Sequence, residues 1–394
     1  MVLRATKSFS GSLKTSARRH SEPRAHWAPA QARQATTASS SRAPRQVKIV
    51  EVGPRDGLQN EKQVLSTELK VGLIDKLIQS GLRTVEAGSF VSPKWVPQMA
   101  STTDVLSSPT LRSWRDKLGE DLSLPVLVPN AKGLSSMLSL LDSQASSSPH
   151  PITNEMAVFI AASEGFSKAN INTTVQGSLD ILPPLFEKAK QRGIKVRAYV
   201  SVVLGCPFDG KVDKQVVADV TKSLIDMGAY EVSLGDTIGV GTPDGWEDLL
   251  NVVTKKVAIE KLAAHCHDTY GSAVANVLRC VELGIPTVDS SISALGGCPY
   301  SPGATGNVST EDVVYALESS GLATTSLLPP VQPGQDVDDL LDGGERGQAF
   351  EKLAEVGRWV SQELGRSNGS KAGEAVLRRR ERRQNMQDKA KAKL

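Results

Sequence analysis

The sequence has few aromatic residues, few cysteines and no long hydrophobic run. Only 4% of its 394 residues are aromatic, and its four cysteines are Cys206, Cys266, Cys280 and Cys298. They form no C-x-x-C pair, and their spacing is not that of the disulfide framework of a small secreted protein. We therefore expect free thiols in a reducing compartment. No apolar stretch approaches the roughly 18 residues that a membrane helix needs, which excludes a membrane-spanning protein.

Acidic residues are almost absent from the first 46 positions. This segment carries nine Lys and Arg against one acid, Glu22, and is rich in Ser and Ala. Because it also lacks the apolar core of a secretory signal, it is interpreted as a disordered mitochondrial targeting segment, which would send the protein to the matrix. A disordered basic tail is the alternative.

The net charge of +3 is the sum of three unlike regions. Residues 1–46 carry +8, residues 47–370 carry −11 and residues 371–394 carry +6. The run RRRERR (378–383) has no interleaved aromatic residues, and the acidic body would repel phosphate. We therefore expect 371–394 to be a disordered, solvated basic tail, and we expect neither a nucleic-acid partner nor a membrane partner.

From residue 47 onward, short β-branched runs alternate with longer stretches of helical periodicity. Candidate strands lie at 47–52, 83–87, 125–128, 157–161, 196–203, 230–234, 262–267 and 286–292. Helical patterns between them include 66–81 and 213–228, each ending on glycine. Eight alternating strands predict an α/β protein with a (β/α)8 TIM barrel over 47–322, and a doubly wound sheet is the alternative. We expect 323–370 to form a helical extension.

An α/β barrel carries its chemistry at the carboxyl ends of its strands and in the loops that follow. Polar side chains fall at these positions after most candidate strands: Arg55, Asp56, Glu86, Asn130, Lys132, Ser201, Asp236, Thr237, His265 and His267. Two candidate insertions, 107–124 and the Ser-rich 143–151, fall between a helix and the next strand. They would lie on the opposite rim, where extra length does not disturb a site.

The strongest chemical signal is the H-x-H pair in the seventh candidate strand. His265 and His267 should point to one face, and Cys266 to the other. Two imidazoles with nearby carboxylates suit a divalent cation such as Mg²⁺ or Mn²⁺, whereas zinc is disfavoured because only Cys298 offers a thiol nearby. The alternative is a pair of structural histidines held by hydrogen bonds. For Asp56, the spacing fits a metal ligand and a turn residue equally well.

The segment 294–307 contains four glycines around Cys298. Such a density lets backbone approach a ligand closely. A thiol near a cation can act as a nucleophile or as an acid and base, so Cys298 is a candidate catalytic residue, with an unreactive thiol in a surface turn as the alternative.

Several strings together resemble the hydroxymethylglutaryl-CoA lyase family. They are EVGPRDGLQNE, GSFVSPKWVPQM, VSVVLGCPFDGKV, SLGDTIGVGTP, HCHDTYGSAVAN and LGGCPYSPGATGN. The resemblance covers about residues 47 to 322, with a weaker continuation through 348–370. One departure is Ala294, where the family pattern usually has glycine.

The resemblance implies a lyase that cleaves 3-hydroxy-3-methylglutaryl-CoA (HMG-CoA) to acetoacetate and acetyl-CoA, in leucine degradation and ketone-body formation. It assigns the divalent metal to Asp56, His265, His267 and Asn307. It assigns catalysis to Arg55, Cys298, Glu86 and Asp236, with Asp236 a weak choice for the base, and substrate contacts to Arg55, Gln59, Ser201 and Thr237. A homodimer is expected. The alternative is a Claisen-type acyl-CoA synthase resembling isopropylmalate or homocitrate synthase.

The chain ends in Ala-Lys-Leu. This resembles the Ser-Lys-Leu peroxisomal address, so a second destination is possible beside the mitochondrial matrix.

Overall fold

Parallel strands, each followed by helices, build most of the described chain. The computed structural model describes residues 46–146, 148–297, 306–324, 340–341 and 344–392. The strands are β1 Gln46–Glu51, β2 Gly88–Ser89, β3 Val126–Leu127, β4 Glu155–Ala161, β5 Lys195–Ser201, β6 Glu231–Asp236, β7 Leu262–Cys266, β8 Thr287–Ser290 and β9 Ala323–Thr324. The first seven α-helices are α1 Thr67–Gln79, α2 Thr102–Leu106, α3 Pro109–Leu118, α4 Ala131–Gln144, α5 Glu164–Ile171, α6 Val175–Asp180 and α7 Pro183–Gln191. They are followed by α8 Lys214–Met227, α9 Pro243–Val253, α10 Ala273–Leu283, α11 Thr310–Ser319, α12 Glu345–Glu363 and α13 Lys371–Lys391.

The strands close into a barrel. They are hydrogen-bonded in the order β2-β3-β4-β5-β6-β7-β8-β1-β9, and every ladder is parallel. The ring is completed between β1 and the segment before β2, where Glu51 N donates to Thr84 O (3.0 Å) and Glu86 N donates to Glu51 O (2.9 Å). The predicted (β/α)8 barrel is confirmed, and the doubly wound sheet is excluded.

Two strands differ from the sequence prediction. The run 83–87 contributes only isolated bridges at Thr84 and Val85, and regular pairing begins later, in β2. The short strand β9 was not predicted; it pairs with Gln46 and Val47 at the amino end of β1. A two-residue strand has no periodicity for a sequence pattern to reveal.

The two helices predicted from periodicity and a terminal glycine are confirmed as α1 and α8. The side chains of Ser66 and Asp213 cap their first turns by accepting backbone N–H bonds. Gly81 (φ 111°) and Gly228 (φ 113°) follow their last turns in a left-handed conformation. The apolar faces of α1 and α8 belong to one continuous cluster of buried side chains between the sheet and the helices.

The two predicted insertions pack against each other. The first contains α3, from which Arg112 Nη1 donates to His150 O (2.8 Å) and Arg115 Nε donates to Pro151 O (2.9 Å). Each insertion therefore satisfies polar groups of the other, away from the carboxyl ends of the strands.

The prediction of a disordered tail at 371–394 is wrong for residues 371–391, which form α13. Val376 and Leu377 are buried, and Arg380 forms an ion pair with Glu355 of α12. The positive charge of this segment predicted a solvated tail. Its apolar pair, Val376 and Leu377, instead gives the helix one face to bury. The predicted targeting segment 1–46, apart from Gln46, lies outside the described residues, as do Cys298 and the last two residues.

Within the described residues, no helix has both the length and the apolar character that crossing a membrane requires.

Candidate active site and metal centre

Two histidines and one aspartate converge at the carboxyl end of the barrel. His265 lies in β7 and His267 follows it, and their Nε2 atoms are 3.3 Å apart. Asp56 Oδ2 lies 3.9 Å from His265 Nε2. Each of the three residues offers one ligand atom, and these three atoms lie within 4.8 Å of one another. Cys266 points away and is buried in the apolar cluster, as the alternation of a strand requires.

Local structure after β1 brings Asp56 to this cluster. Residues Gly53–Gly57 form a single π-helical turn, an element often found at functional sites. Burial alone would raise the pKa of Asp56, but the neighbouring Arg55 and the two histidines lower it below its ordinary value. Asp56 therefore offers an ionised carboxylate to the cluster.

The donor set fits a divalent cation. Burial, reinforced by His265, lowers the pKa of His267 to about 4, so its imidazole is neutral at physiological pH. Its Nδ1 is buried without a hydrogen-bond partner among the described residues. Two imidazoles and a carboxylate that converge in this way are the ligands of a mixed nitrogen and oxygen metal site.

Asn307 adjoins the same cluster. Its Nδ2 donates to Asp56 Oδ2 (2.8 Å) and to Leu295 O (3.2 Å), and its backbone bridges that of His267. The fourth predicted ligand thus lies beside Asp56 and pairs with the backbone of His267.

Arg55 is held between two carboxylates and an aromatic ring. Its guanidinium bonds Glu86 Oε2 (2.8 Å from Nε) and Asp56 Oδ1 (2.8 Å from Nη1), and it lies 5.2 Å from the ring centre of Tyr199. Burial opposes its charge, but Glu86 and Asp56 outweigh burial and raise the pKa of Arg55 above its ordinary value. Arg55 is a fixed, buried cation beside the candidate metal site.

The predicted substrate contacts lie at the carboxyl ends of three different strands. Gln59 Nε2 donates to Asp56 Oδ1 (2.9 Å), so Gln59 adjoins the cluster. Thr237 Oγ1 accepts a bond from Val202 N (2.8 Å) and joins the loops after β5 and β6. Ser201 ends β5 and is partly exposed.

Asp236 has other partners than those expected from a residue supporting Arg55 or the metal. Its carboxylate accepts bonds from Val240 N (3.1 Å) and Gly241 N (2.8 Å), within the loop that follows β6. Burial raises its pKa to about 6 despite these bonds. The carboxylate shapes a loop at the rim.

Three inward-facing residues of this region were missed by the sequence analysis. Tyr199 donates to Glu86 Oε2 (3.1 Å), and Arg197 and Asp289 form a buried ion pair (2.7 Å) below His265. A charged residue inside a predicted strand is unusual and was the available signal. The barrel pattern places chemistry at strand ends, so it does not point to charged residues in the interior of a strand.

Fold and site together define a (β/α)8 barrel protein with a candidate metal centre of carboxylate and histidine donors at the carboxyl ends of its strands. A family model described as HMGL-like matches residues 46–344. The chain belongs to the HMGL-like family.

Curated and solved relatives agree with this assignment. The chain is 44% identical over 346 residues to the mitochondrial hydroxymethylglutaryl-CoA lyase of Bos taurus, covering 88% of this chain and 94% of that protein. The crystal structure of hydroxymethylglutaryl-CoA lyase from Pseudomonas aeruginosa has a TM-score of 0.71 at 43% identity, covering 85% of this chain and 98% of that one. An HMG-CoA lyase from Acinetobacter baumannii, solved with coenzyme A and 3-methylmalate, has a TM-score of 0.69 at 29% identity and covers 84% and 95%.

Proposed function

We propose that this protein is a hydroxymethylglutaryl-CoA lyase that cleaves (S)-3-hydroxy-3-methylglutaryl-CoA to acetoacetate and acetyl-CoA. The observation that carries the proposal is the cluster of Asp56, His265 and His267 beside the buried cation Arg55. The relatives named above support the same activity. None of those relatives is a Claisen-type synthase, so the alternative has no support.

The metal would be held by Asp56, His265, His267 and Asn307. We propose Mg²⁺ or Mn²⁺, because carboxylate, amide and imidazole donors suit these ions when positions stay open for substrate oxygens. When bound, a divalent cation polarises oxygens and acidifies a hydroxyl group. Gln59 and Arg55 each bond Asp56 Oδ1 and so orient this carboxylate.

The chain's own residues would handle the charge that develops during cleavage. Transfer of the tertiary hydroxyl proton to a base, for which we propose Asp236, lets the adjacent C–C bond break, so that the oxygen becomes the ketone of acetoacetate and the bonding electron pair forms the enolate of acetyl-CoA. Arg55 stabilises the enolate oxygen because its guanidinium is fixed before the reaction by Glu86 and Tyr199. Cys298 would supply the proton that converts the enolate to acetyl-CoA. Ser201 and Thr237 would contact substrate from neighbouring rim loops.

The activity is tested by acetoacetate release from HMG-CoA in the presence of Mg²⁺ or Mn²⁺ and in the presence of a chelator. His265→Ala and Cys298→Ala should lose most activity. The matched controls are His150→Ala, on the opposite rim, and Cys280→Ala, buried in α10. The site assignment fails if the first pair retains full activity.

A homodimer is proposed from the family resemblance alone. Light scattering on the full chain measures its mass directly, and a monomer at micromolar concentration would contradict the proposal.

The proposed location is the mitochondrial matrix. Mitochondrial relatives such as that of Bos taurus support it. Removing the +8 segment 1–46 from a +3 chain leaves −5, so the processed protein should have an acidic isoelectric point instead of about 8.5. A basic isoelectric point in isolated mitochondria would contradict processing near residue 46.

A peroxisomal fraction is proposed from the terminal Ala-Lys-Leu, which directly follows α13. Imaging the full chain beside versions without 1–46 or without 392–394 separates the two addresses. Unchanged distribution after removal of 392–394 would reject the peroxisomal one.

A further inference from the structure

A buried carboxylate lies directly behind His265. Asp289, in β8, has a fully buried side chain whose Oδ2 is 3.2 Å from His265 Nδ1. The other ring nitrogen, Nε2, faces His267 and Asp56. The imidazole of His265 therefore lies between Asp289 on one side and the candidate metal site on the other.

This arrangement determines which nitrogen of His265 carries the proton. A carboxylate held by Arg197 and Ser233 accepts hydrogen bonds, so Nδ1 of His265 is the nitrogen placed to donate to Asp289, and Nε2 is the nitrogen whose lone pair can face the candidate metal site. A metal ligand needs that lone pair. Asp289 thus stabilises both the tautomer and the ring orientation that ligation requires.

Asp289 is itself fixed by a buried cation. Arg197 donates to both carboxylate oxygens, from Nη2 to Oδ1 (2.7 Å) and from Nη1 to Oδ2 (3.1 Å). Ser233 Oγ also donates to Oδ2 (2.7 Å). The remaining Nε of Arg197 donates to Glu231 Oε1 (2.7 Å). Arg197 and Ser233 thus fix the position of Asp289, and Glu231 contacts Arg197 only on its far side.

Charged side chains are costly in a barrel interior, which branched aliphatic residues normally fill. Arg197 and Asp289 are at most 1% exposed in their side chains, and Glu231 is 7% exposed. An ion-pair chain that only filled space could be replaced by apolar residues at little cost. Its contact with a candidate metal ligand gives it a specific role.

We propose that Asp289, held by Arg197, is a positioning residue that keeps Nε2 of His265 available to the divalent cation. This inference rests on the metal site of the proposed function. It assigns no contact with substrate to either residue.

The test measures Mn²⁺ affinity in the absence of substrate, with free Mn²⁺ counted by electron paramagnetic resonance. Asp289→Asn keeps the shape but presents an amide that cannot accept bonds from Arg197, Ser233 and His265 together. We expect the dissociation constant for Mn²⁺ to rise about 10- to 100-fold. Glu231→Gln is the matched control, because it removes the other buried carboxylate from Arg197 without touching His265. Its Mn²⁺ affinity should stay within about twofold of the wild type.

A second measurement needs no substitution at Asp289. Nitrogen-15 NMR of the metal-free wild type, with the His265 signals assigned by comparison with His265→Ala, should find the proton on Nδ1. An Nδ1 without a proton would overturn the inference, as would Asp289→Asn binding Mn²⁺ like the wild type or Glu231→Gln losing as much affinity. His265→Ala separates this failure from failure of the proposed site: if it binds Mn²⁺ normally, the site itself is wrong.

Discussion

The buried carboxyl group of Glu311 should make the stability of this protein depend on pH. Glu311 lies in α11, fully buried. Its Oε2 accepts bonds from Ser309 Oγ (2.8 Å) and Ser293 N (3.0 Å), whereas Oε1 has no hydrogen-bond partner among the described residues. Burial, with a smaller contribution from the neighbouring Asp312, raises its pKa from 4.5 to about 8 despite these bonds.

The size of the effect follows from linkage. In the unfolded chain the carboxyl ionises near pH 4.5, whereas in the folded protein it keeps its proton to about pH 8. Between these values the folded state binds more protons, so the free energy of unfolding falls by about 1.4 kcal/mol per pH unit. The contribution is complete below pH 4.5, and the loss reaches about 5 kcal/mol above pH 8.

Glu311→Gln isolates this contribution, because the amide retains the acceptor oxygen and cannot ionise. Relative to the wild type, its melting temperature should rise by on the order of 10 °C between pH 5 and pH 9. Calorimetry with chelator in every sample measures this without the pH dependence of metal binding. Glu282→Gln, exposed on α10, is the control and should show a constant difference. A pH-independent offset for Glu311→Gln would refute the reasoning.

Three further substitutions test the site and its supports. Gly369→Ala would place a Cβ 2.7 Å from Ser293 O and 2.9 Å from Ala294 Cβ, and overpacking of this kind should destabilise by about 1–3 kcal/mol in thermal unfolding. Leu377→Ala in α13 removes a fully buried side chain and should cost about 2–5 kcal/mol; an unchanged melting temperature would mean that α13 is not docked in solution. Arg55→Lys should lower kcat by about 10²- to 10³-fold with a smaller change in KM, because the enolate charge develops only during cleavage; an effect confined to KM would contradict this role.

The fold was predictable wherever a repeated pattern recorded it. Alternation of apolar strands and amphipathic helices predicted the barrel, and α1 and α8 carried both a cap and a terminal glycine. Closure between β1 and Val85 was not predictable in detail, because it consists of an isolated bridge. The helix α13 was missed because its charge dominates its sequence. Its docking depends on contacts with α12, which a sequence pattern does not show.

The candidate site was predictable to the extent that its residues lie at strand ends. His265, His267 and Asp56 fall there, and the structure brings them together. Asp236 has the same sequence context, yet its carboxylate bonds its own loop, and no pattern distinguishes these cases. Asp289 lies within a strand, and its importance depends on the facing side chain of a different strand. Such contacts between neighbouring strands are absent from any linear motif.

The C-terminal extension and the candidate site meet at one strained turn. Ser293 (φ 55°) and Ala294 (φ 52°) are both left-handed, a conformation that costs a non-glycine residue about 1–2 kcal/mol. Gly369 N donates to Ser293 O (3.2 Å), and the hydroxyl of Ser361 in α12 bonds that of Ser293 (2.6 Å). Leu295 follows directly, and its carbonyl holds the amide of Asn307. Because the extension fixes this turn from outside the barrel, Ala294 is held in a conformation that favours glycine, and the helices beyond the barrel help to position Asn307, a proposed metal ligand.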